Sequence, residues 1–199
     1  LWLGPCAEVP YREGLLPLVW RSWWDYGTGG LGDWGVHVLD VIFFGYDELT
    51  SPIAVTTYAP NAADEFHPYP CLSTITYAVD SNKFANPHFP IYYNDRGQAP
   101  SRASLGLPAG NWPESNMTVV QCEGGVLVLS AGGKLEIWRN GHMTDGLAMP
   151  GLPEFPDLNH WHAWVDNIVG KDTELRTPFE DGARITEAAL LAVKAAKYP

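Results

Sequence analysis

The chain carries, from residue 31 to residue 44, the sequence Leu-Gly-Asp-Trp-Gly-Val-His-Val-Leu-Asp-Val-Ile-Phe-Phe. This stretch is apolar on nearly every side and contains no proline, and the turn-rich run Trp24–Gly30 before it offers Thr28 as an N-cap. We therefore predict a buried helix from about Leu31 to Phe44. The segments on either side of it define the rest of the fold.

Strand-like segments rich in Val, Ile, Thr and Tyr surround this helix. Two short glycine links, Gly124-Gly125 and Ala131–Gly133, indicate antiparallel hairpins. A loop-like segment from 81 to 115 interrupts the pattern, and ordered loops of that length are usually functional. The predicted strands are Leu18–Trp20, Ile53–Tyr58, Leu72–Val79, Phe89–Tyr93, Thr118–Glu123, Val126–Ser130 and Leu135–Arg139.

Two further helices are predicted near the end of the chain. The first runs from about Leu158 to Val169 with Asp157 as its cap, and the second opens with a capping box, Thr177–Glu180, that has Pro178 at the first helical position. The predicted buried positions are Leu158, Trp161, Val165 and Ile168 in the first, and Ile185, Ala188, Ala189, Ala192, Val193 and Ala196 in the second.

Together these elements predict one α+β domain over residues 1–199, with a large, mostly antiparallel open sheet and helices on one face. The segment Val126–Leu129 is apolar on both sides of its strand. We therefore expect both faces of the sheet to be covered, by helices and by a partner subunit.

The composition limits the kinds of partner. The chain has 12 basic and 23 acidic residues and a net charge of −11, which argues against nucleic acid or an anionic membrane as the main partner. No apolar stretch approaches the roughly 18 residues needed to cross a bilayer. Three scattered cysteines, Cys6, Cys71 and Cys122, favour a reducing, cytoplasmic compartment.

The chain opens with Leu1–Pro5, which contains neither a start methionine nor a signal peptide. We therefore interpret the sequence as a fragment or one domain of a longer protein. A periplasmic location stays open, because a signal would lie in the missing N-terminal region.

Three polar side chains interrupt the apolar helix. Asp33, His37 and Asp40 are spaced i, i+4 and i+7, which places them along one face. Charged groups on a buried helix need partners, so they form either a closed structural network or the lining of a polar cavity. An imidazole oriented by a carboxylate is a common device for proton transfer near neutral pH.

The turn Gly27–Gly32 matches Gly-x-Gly-x-x-Gly, the dinucleotide fingerprint. That fingerprint requires a buried parallel strand directly before it, and Arg21–Tyr26 does not resemble one. We therefore interpret these glycines as positions where the chain packs close to a ligand or to a neighbouring domain, and assign no cofactor-binding residue in this chain.

His160 and His162 fall in the first turn of their predicted helix, where side chains at i and i+2 point in different directions. A metal site that combined one of them with Asp33 and His37 rests on spacing alone, so no metal is assigned. One of the two histidines is interpreted instead as a contact to a substrate hydroxyl, with plain surface exposure as the alternative.

The stretch from Trp20 to Asp40 resembles the second domain of the Gfo/Idh/MocA oxidoreductases, which include glucose–fructose oxidoreductase and inositol dehydrogenases. The resemblance rests on Trp20-Arg21, on the glycine run, and on Asp-x-Gly-x-His at residues 33–37. Further similar segments are Leu1–Pro5, His160–Ile168 and Gly182–Glu187.

The resemblance implies a substrate domain whose open sheet joins a homo-oligomer. It implies that Asp33 and His37 are the active-site pair. His37, helped by a lysine from the cofactor domain, would handle the proton of a sugar or cyclitol hydroxyl while hydride passes to NAD or NADP. Arg21, Trp24 and His160 are the expected substrate contacts.

The family places a nucleotide-binding Rossmann domain before this one, and it is absent from this sequence. Alone, the chain is therefore expected neither to bind the dinucleotide well nor to turn over. One alternative is a glycoside-cleaving relative that works through a keto sugar, with Tyr92, Tyr93 and Trp112 on the larger substrate. Another is a non-catalytic carbohydrate-binding or assembly module in which Asp33 and His37 serve packing.

Overall fold

A computed structural model describes residues 3–11, 13–15, 18–80, 82–95, 97–151, 159–171, 175 and 177–198, and it has the predicted α+β class. The helices are α1 (Gly29–Gly45), α2 (His160–Ile168) and α3 (Phe179–Lys197). The strands are β1 (Ala54–Tyr58), β2 (Leu72–Ala78), β3 (His88–Asn94), β4 (Met117–Cys122), β5 (Gly125–Ser130), β6 (Leu135–Arg139) and β7 (His142–Asp145). No helix among the described residues is long and apolar enough to cross a membrane.

The strands form two antiparallel sheets, in the orders β1-β2-β3 and β4-β5-β6-β7, rather than one large sheet. Strand β3 pairs with β2 and carries Pro90, whose missing N–H suits the edge of a sheet. Both glycine links join antiparallel neighbours, as their short length predicts. Sequence patterning missed β7, because its four residues are all exposed and show no apolar alternation.

The larger core lies between α1, α3 and the three-stranded sheet. In α1, Leu31, Gly35, Leu39 and Phe43 are buried at intervals of four residues, so one side of the helix faces inward. The six positions predicted for α3, from Ile185 to Ala196, are all buried. Four of the six are alanines, whose small side chains allow α1 and α3 to pack closely.

Two observations fix the direction of these helices. A Cβ added at Gly32 would lie 3.4 Å from Val193 Cγ2. The guanidinium of Arg184 lies 6.0 Å from the ring centroid of Phe43. Since the start of α1 meets the end of α3, and the end of α1 meets the start of α3, the two helices run antiparallel.

A smaller core supports the four-stranded sheet. Leu107, Val126 and Val128 are buried there, and Trp112 and Trp138 pack around them. The buried guanidinium of Arg102 lies 5.2 Å and 5.4 Å from the ring centroids of these two tryptophans. The sheet is joined to α1 by a hydrogen bond from Thr118 Oγ1 to the Val38 carbonyl, at 3.0 Å.

The segment predicted as a strand at Leu18–Trp20 is instead part of a 3-10 helix over Val19–Ser22. Leu18 has a positive φ of 64°, which turns the chain at that point. The Trp23 amide then donates to the Trp20 carbonyl, at 3.1 Å, and closes a tight turn. This local hydrogen bond replaces the pairing with a neighbouring segment that a strand would need.

The predicted burial of the helices is wrong at two places. Helix α1 packs on one side only, and Trp34 and Phe44 are 45% and 64% exposed. In α2 the residues predicted as a buried stripe, Trp161, Val165 and Ile168, are exposed, and Ala163 is the buried side chain. An apolar stripe shows which side of a helix prefers burial but not whether a neighbour covers it.

The predicted helix starts also differ. Asn159 caps α2 by accepting a hydrogen bond from the His162 amide, at 3.0 Å, while Asp157 and Leu158 lie outside the described residues. Pro178 is the N-cap of α3 rather than its first residue, and the described part of the chain shows no capping side-chain hydrogen bond there. Thr28 has the predicted N-cap position of α1, again without a capping side-chain hydrogen bond.

Candidate functional site

The polar face of α1 is open to solvent. Asp33 is partly exposed, and His37 and Asp40 are exposed, along one face of the helix. The alternative of a closed, buried network therefore does not hold, because the side of α1 that carries these groups is not covered by the described residues. Hydroxyl-bearing ligands can approach all three side chains from solvent.

Arg21 and Asp33 come together across twelve residues of sequence. Arg21 Nη1 donates to Asp33 Oδ2 at 2.5 Å, with both side chains about one-third exposed. The backbone of Arg21 is held in place by Gly27, where an added Cβ would lie 2.5 Å from the Arg21 carbonyl oxygen. The pair therefore orients the Asp33 carboxylate at one end of the polar face.

His37 has a free side chain within the described part of the chain. Its ring lies 4.9 Å from the ring of Trp34, and it makes no hydrogen bond to a described residue. Asp40, one turn further on, likewise makes no hydrogen bond or ion pair to one. Both side chains line an open cavity between α1 and α3 of about 310 Å³.

Trp24 belongs to a different cluster, next to the start of α1. Its ring lies 5.1 Å from the ring of His67 and 4.9 Å from Lys197 Nζ, and its indole N–H donates to the Ala63 carbonyl at 3.2 Å. Sequence reasoning missed His67 and Lys197. A single histidine in a proline-rich turn belongs to no periodic pattern that would draw attention to it. A lysine in the last turn of a helix is common because its charge interacts favourably with the helix dipole, so it does not stand out either.

His67 is buried against the first turn of α1. Its Nδ1 donates to the Pro68 carbonyl at 2.8 Å, which leaves Nε2 as the unprotonated nitrogen, buried and without a partner among the described residues. Burial lowers the pKa of His67 below that of a free histidine. The imidazole is therefore neutral at pH 7 and packs as part of the helix start.

The glycine turn is filled by the protein itself. Gly29 has a φ of 66° and lies directly against the His67 ring, and a Cβ on Gly32 would overlap the Thr28 side chain. The preceding residues form a 3-10 helix and turns, and Trp23 makes an isolated bridge to Phe66. This turn therefore does not fit a dinucleotide pyrophosphate, and its glycines serve close packing.

The remaining predicted contacts do not gather at His37. His160 begins α2, is exposed, and has the ring of Trp161 as its described neighbour, at 5.8 Å. Tyr93 packs against the larger core, and Trp112 against Arg102 in the smaller one. Tyr92 is exposed on β3. The predicted loop thus contributes β3 to the three-stranded sheet and Trp112 to the smaller core, and these aromatic side chains do not gather over the polar face of α1.

Metal binding and catalysis by a cysteine nucleophile have little support in the described residues. No three His, Cys, Asp or Glu side chains among them come together as metal ligands. Burial raises the pKa of the Cys71 thiol to about 11, so that thiol is protonated and a poor nucleophile at neutral pH. The polar face of α1 remains the arrangement best suited to proton transfer.

Residues 1–80 match a family model described as the C-terminal alpha/beta domain of an oxidoreductase family. The matched segment contains the whole of α1, the Arg21–Asp33 pair and strands β1 and β2. No curated protein matches the chain.

Proposed function

Because residues 1–80 belong to the C-terminal domain of the Gfo/Idh/MocA oxidoreductases, we propose that the chain is the substrate half of an NAD(P)-dependent oxidoreductase acting on a secondary hydroxyl of a sugar or cyclitol. The observation that carries this proposal is the open polar face of α1. His37 presents an unengaged imidazole there, on the same face as the oriented carboxylate of Asp33.

Each residue has a separate task in this proposal. His37 accepts the hydroxyl proton while the carbon loses a hydride, so that the alcohol becomes a ketone. Asp33, held by Arg21, accepts a hydrogen bond from a neighbouring hydroxyl and positions the ring. Trp24 and His160 lie outside this immediate arrangement, and we propose them as contacts to more distant parts of the substrate.

The dinucleotide supplies the hydride acceptor, and we propose that a second domain holds it. The filled glycine turn supports this division, since it leaves no room for the pyrophosphate. The open face of α1 then serves as the surface to which that domain brings the reacting carbon.

The test is an assay of the intact protein with D-glucose, D-xylose and myo-inositol, each with NAD⁺ and with NADP⁺. Reduction of the cofactor at a rate proportional to the enzyme concentration supports the proposal. Cleavage of a glycoside without net reduced cofactor would support the keto-sugar cleavage route instead. Absence of both activities, with all three polyols and both cofactors, would contradict the oxidoreductase assignment.

We also propose that the four-stranded sheet forms the contact between two copies of the chain. Cross-strand register places Val120, Leu127 and Ile137 on one face, with Leu129 and Leu135 beside them. All five are partly exposed, and neither core includes them. A half-covered apolar sheet face of this kind is typical of a subunit interface.

Replacing Ile137 by lysine should dissociate the oligomer, because it puts a charge at the centre of this face. Sedimentation velocity at micromolar concentration measures the change, which we expect to be at least tenfold in the dissociation constant. Gln121→Lys, on the opposite face of β4, is the matched control and should leave the oligomer intact. An Ile137→Lys variant with the wild-type sedimentation coefficient would exclude this face.

A further inference from the structure

Arg102 is a buried cation without a carboxylate partner. Its side chain is 8% exposed, and of the three buried polar residues in the described part of the chain it alone carries a permanent charge. It forms no ion pair with a described carboxylate, whereas Arg21 and Arg184 each contact one. Because burying a charge without a counter-charge is costly, the surroundings of Arg102 are suited to binding an anion.

Two tryptophan rings lie close to the guanidinium of Arg102. Its Cζ is 5.2 Å from the ring centroid of Trp112 and 5.4 Å from that of Trp138. An arginine near an indole face is attracted by the ring quadrupole, and more strongly where water is excluded. These contacts stabilise the cation but leave its charge uncompensated, since an indole ring carries no net charge.

The two indole rings are themselves held by hydrogen bonds. Trp112 Nε1 donates to the Pro100 carbonyl at 2.9 Å, and Trp138 Nε1 donates to Glu136 Oε2 at 2.8 Å. The rings next to the guanidinium therefore have fixed positions before any ligand binds. Such preorganisation lowers the entropic cost of binding.

The protein uses only part of the hydrogen-bonding capacity of Arg102. Its Nε donates to the Pro108 carbonyl at 3.2 Å, and its own carbonyl accepts from the Leu107 amide at 3.0 Å. Nη1 and Nη2 make no hydrogen bond to a described residue, and neither is fully enclosed, so both keep contact with solvent. These two nitrogens form a planar edge that can bind both oxygens of a carboxylate.

The surroundings favour a carboxylate that has an apolar body. Leu107, Val126 and Val128 form the buried core beside the two tryptophans, so the atoms around the guanidinium are largely apolar. The net charge of −11 disfavours a phosphate dianion more than a carboxylate monoanion. The carboxylate of Glu136, held on one of the tryptophans, strengthens this preference.

The surroundings of Arg102 are separate from the polar face of α1 and from the proposed contact between copies. Arg102 precedes β4 and lies outside the residues of the family match. Cross-strand register places Trp138 and Val126 on one face of the four-stranded sheet, and Leu127 and Ile137 on the other. A second copy on the face of Ile137 would therefore not cover the guanidinium.

We propose that Arg102, Trp112 and Trp138 form a binding site for a small organic monocarboxylate. The carboxylate accepts hydrogen bonds from Nη1 and Nη2 of Arg102, and the apolar body of the ligand lies against the two indole rings. This site goes beyond the proposed function and does not depend on it, because none of its residues takes part in the proton transfer at His37.

Calorimetric titration of the intact protein tests the class of ligand. The probes are sodium benzoate, inorganic phosphate and benzyl alcohol, at constant ionic strength. We expect benzoate to bind at least about tenfold more tightly than phosphate, which lacks an apolar body, and than benzyl alcohol, which lacks the charge. Failure of the wild-type protein to bind benzoate, or equal binding of any two probes that includes benzoate, would overturn the proposal.

Substitutions then test the role of Arg102. Arg102→Met removes the charge and should weaken benzoate binding at least about tenfold. Arg139→Met removes an exposed arginine from the same strand as Trp138 and should change the affinity no more than twofold. Arg102→Lys keeps a cation, which favours folding, but lacks the planar edge and should weaken binding at least about fivefold.

Circular dichroism shows which variants are folded, and the affinities are compared among those. An unchanged affinity for benzoate in folded Arg102→Met or Arg102→Lys, or an equal loss in Arg139→Met, would overturn the assignment of the site to Arg102. Selective loss in the Arg102 variants would support it whether or not the intact protein oxidises a polyol.

Discussion

Replacing His37 by asparagine is expected to lower kcat of the intact protein by roughly 10²–10⁴-fold, the usual contribution of a general base. The substrate hydroxyl would lose its proton acceptor, while the open cavity between α1 and α3 keeps its shape. KM should change less than kcat, because the lost interaction develops mainly in the transition state. Steady-state kinetics on the preferred polyol, with cofactor saturating, measures both constants.

Two controls keep this result interpretable. His142→Asn changes an exposed histidine on β7 and should leave kcat within twofold of wild type. The melting temperature of His37→Asn should stay close to that of wild type, since His37 is exposed and makes no described hydrogen bond. If His37→Asn retained full activity, the proton would have to leave by another route. If it lost stability instead, the packing role would be favoured.

Replacing Gly29 by alanine is expected to destabilise the chain by about 3 kcal/mol, whereas the same change at the adjacent Gly30 should be neutral or stabilising. Gly29 has a φ of 66°, which costs an L residue about 1–2 kcal/mol, and its Cβ would overlap the buried His67 ring. Overpacking of that kind costs about 1–3 kcal/mol more. A Cβ on Gly30 meets nothing within 4 Å, and alanine is the better helix former there.

Denaturant unfolding of the two variants measures this difference directly. The midpoint should fall for Gly29→Ala and hold or rise for Gly30→Ala, with an unchanged slope in both. Equal midpoints for the two variants would mean that His67 does not pack on Gly29. Strong dinucleotide binding that both variants lose would mean that this turn is a cofactor site after all.

Local sequence determined much of this fold. The alanine stripe of α3 predicts that helix and its buried side, and the apolar, proline-free run from 31 to 44 predicts α1 without showing which of its sides is buried. The short glycine links predict the antiparallel hairpins of the second sheet. These features depend on backbone geometry over a few residues, which the sequence specifies directly.

The sequence predicts only part of the candidate site. The spacing of Asp33, His37 and Asp40 places them on one face of a helix, because residues i and i+4 are neighbours in any α-helix. The partner of Asp33 is Arg21, which no periodicity connects to it. Likewise nothing local relates Gly182 to His37, although both line the open cavity between α1 and α3.

The sequence by itself determined the class of the fold, the side on which α3 is buried, and the line of polar groups along α1. Tertiary structure alone decided that this line is open to solvent, that the stripe of α2 is uncovered, and that the strands separate into two sheets. The physical reason is the range of the interactions. Periodicity sets which side chains share a face, whereas burial depends on which distant segment packs against that face.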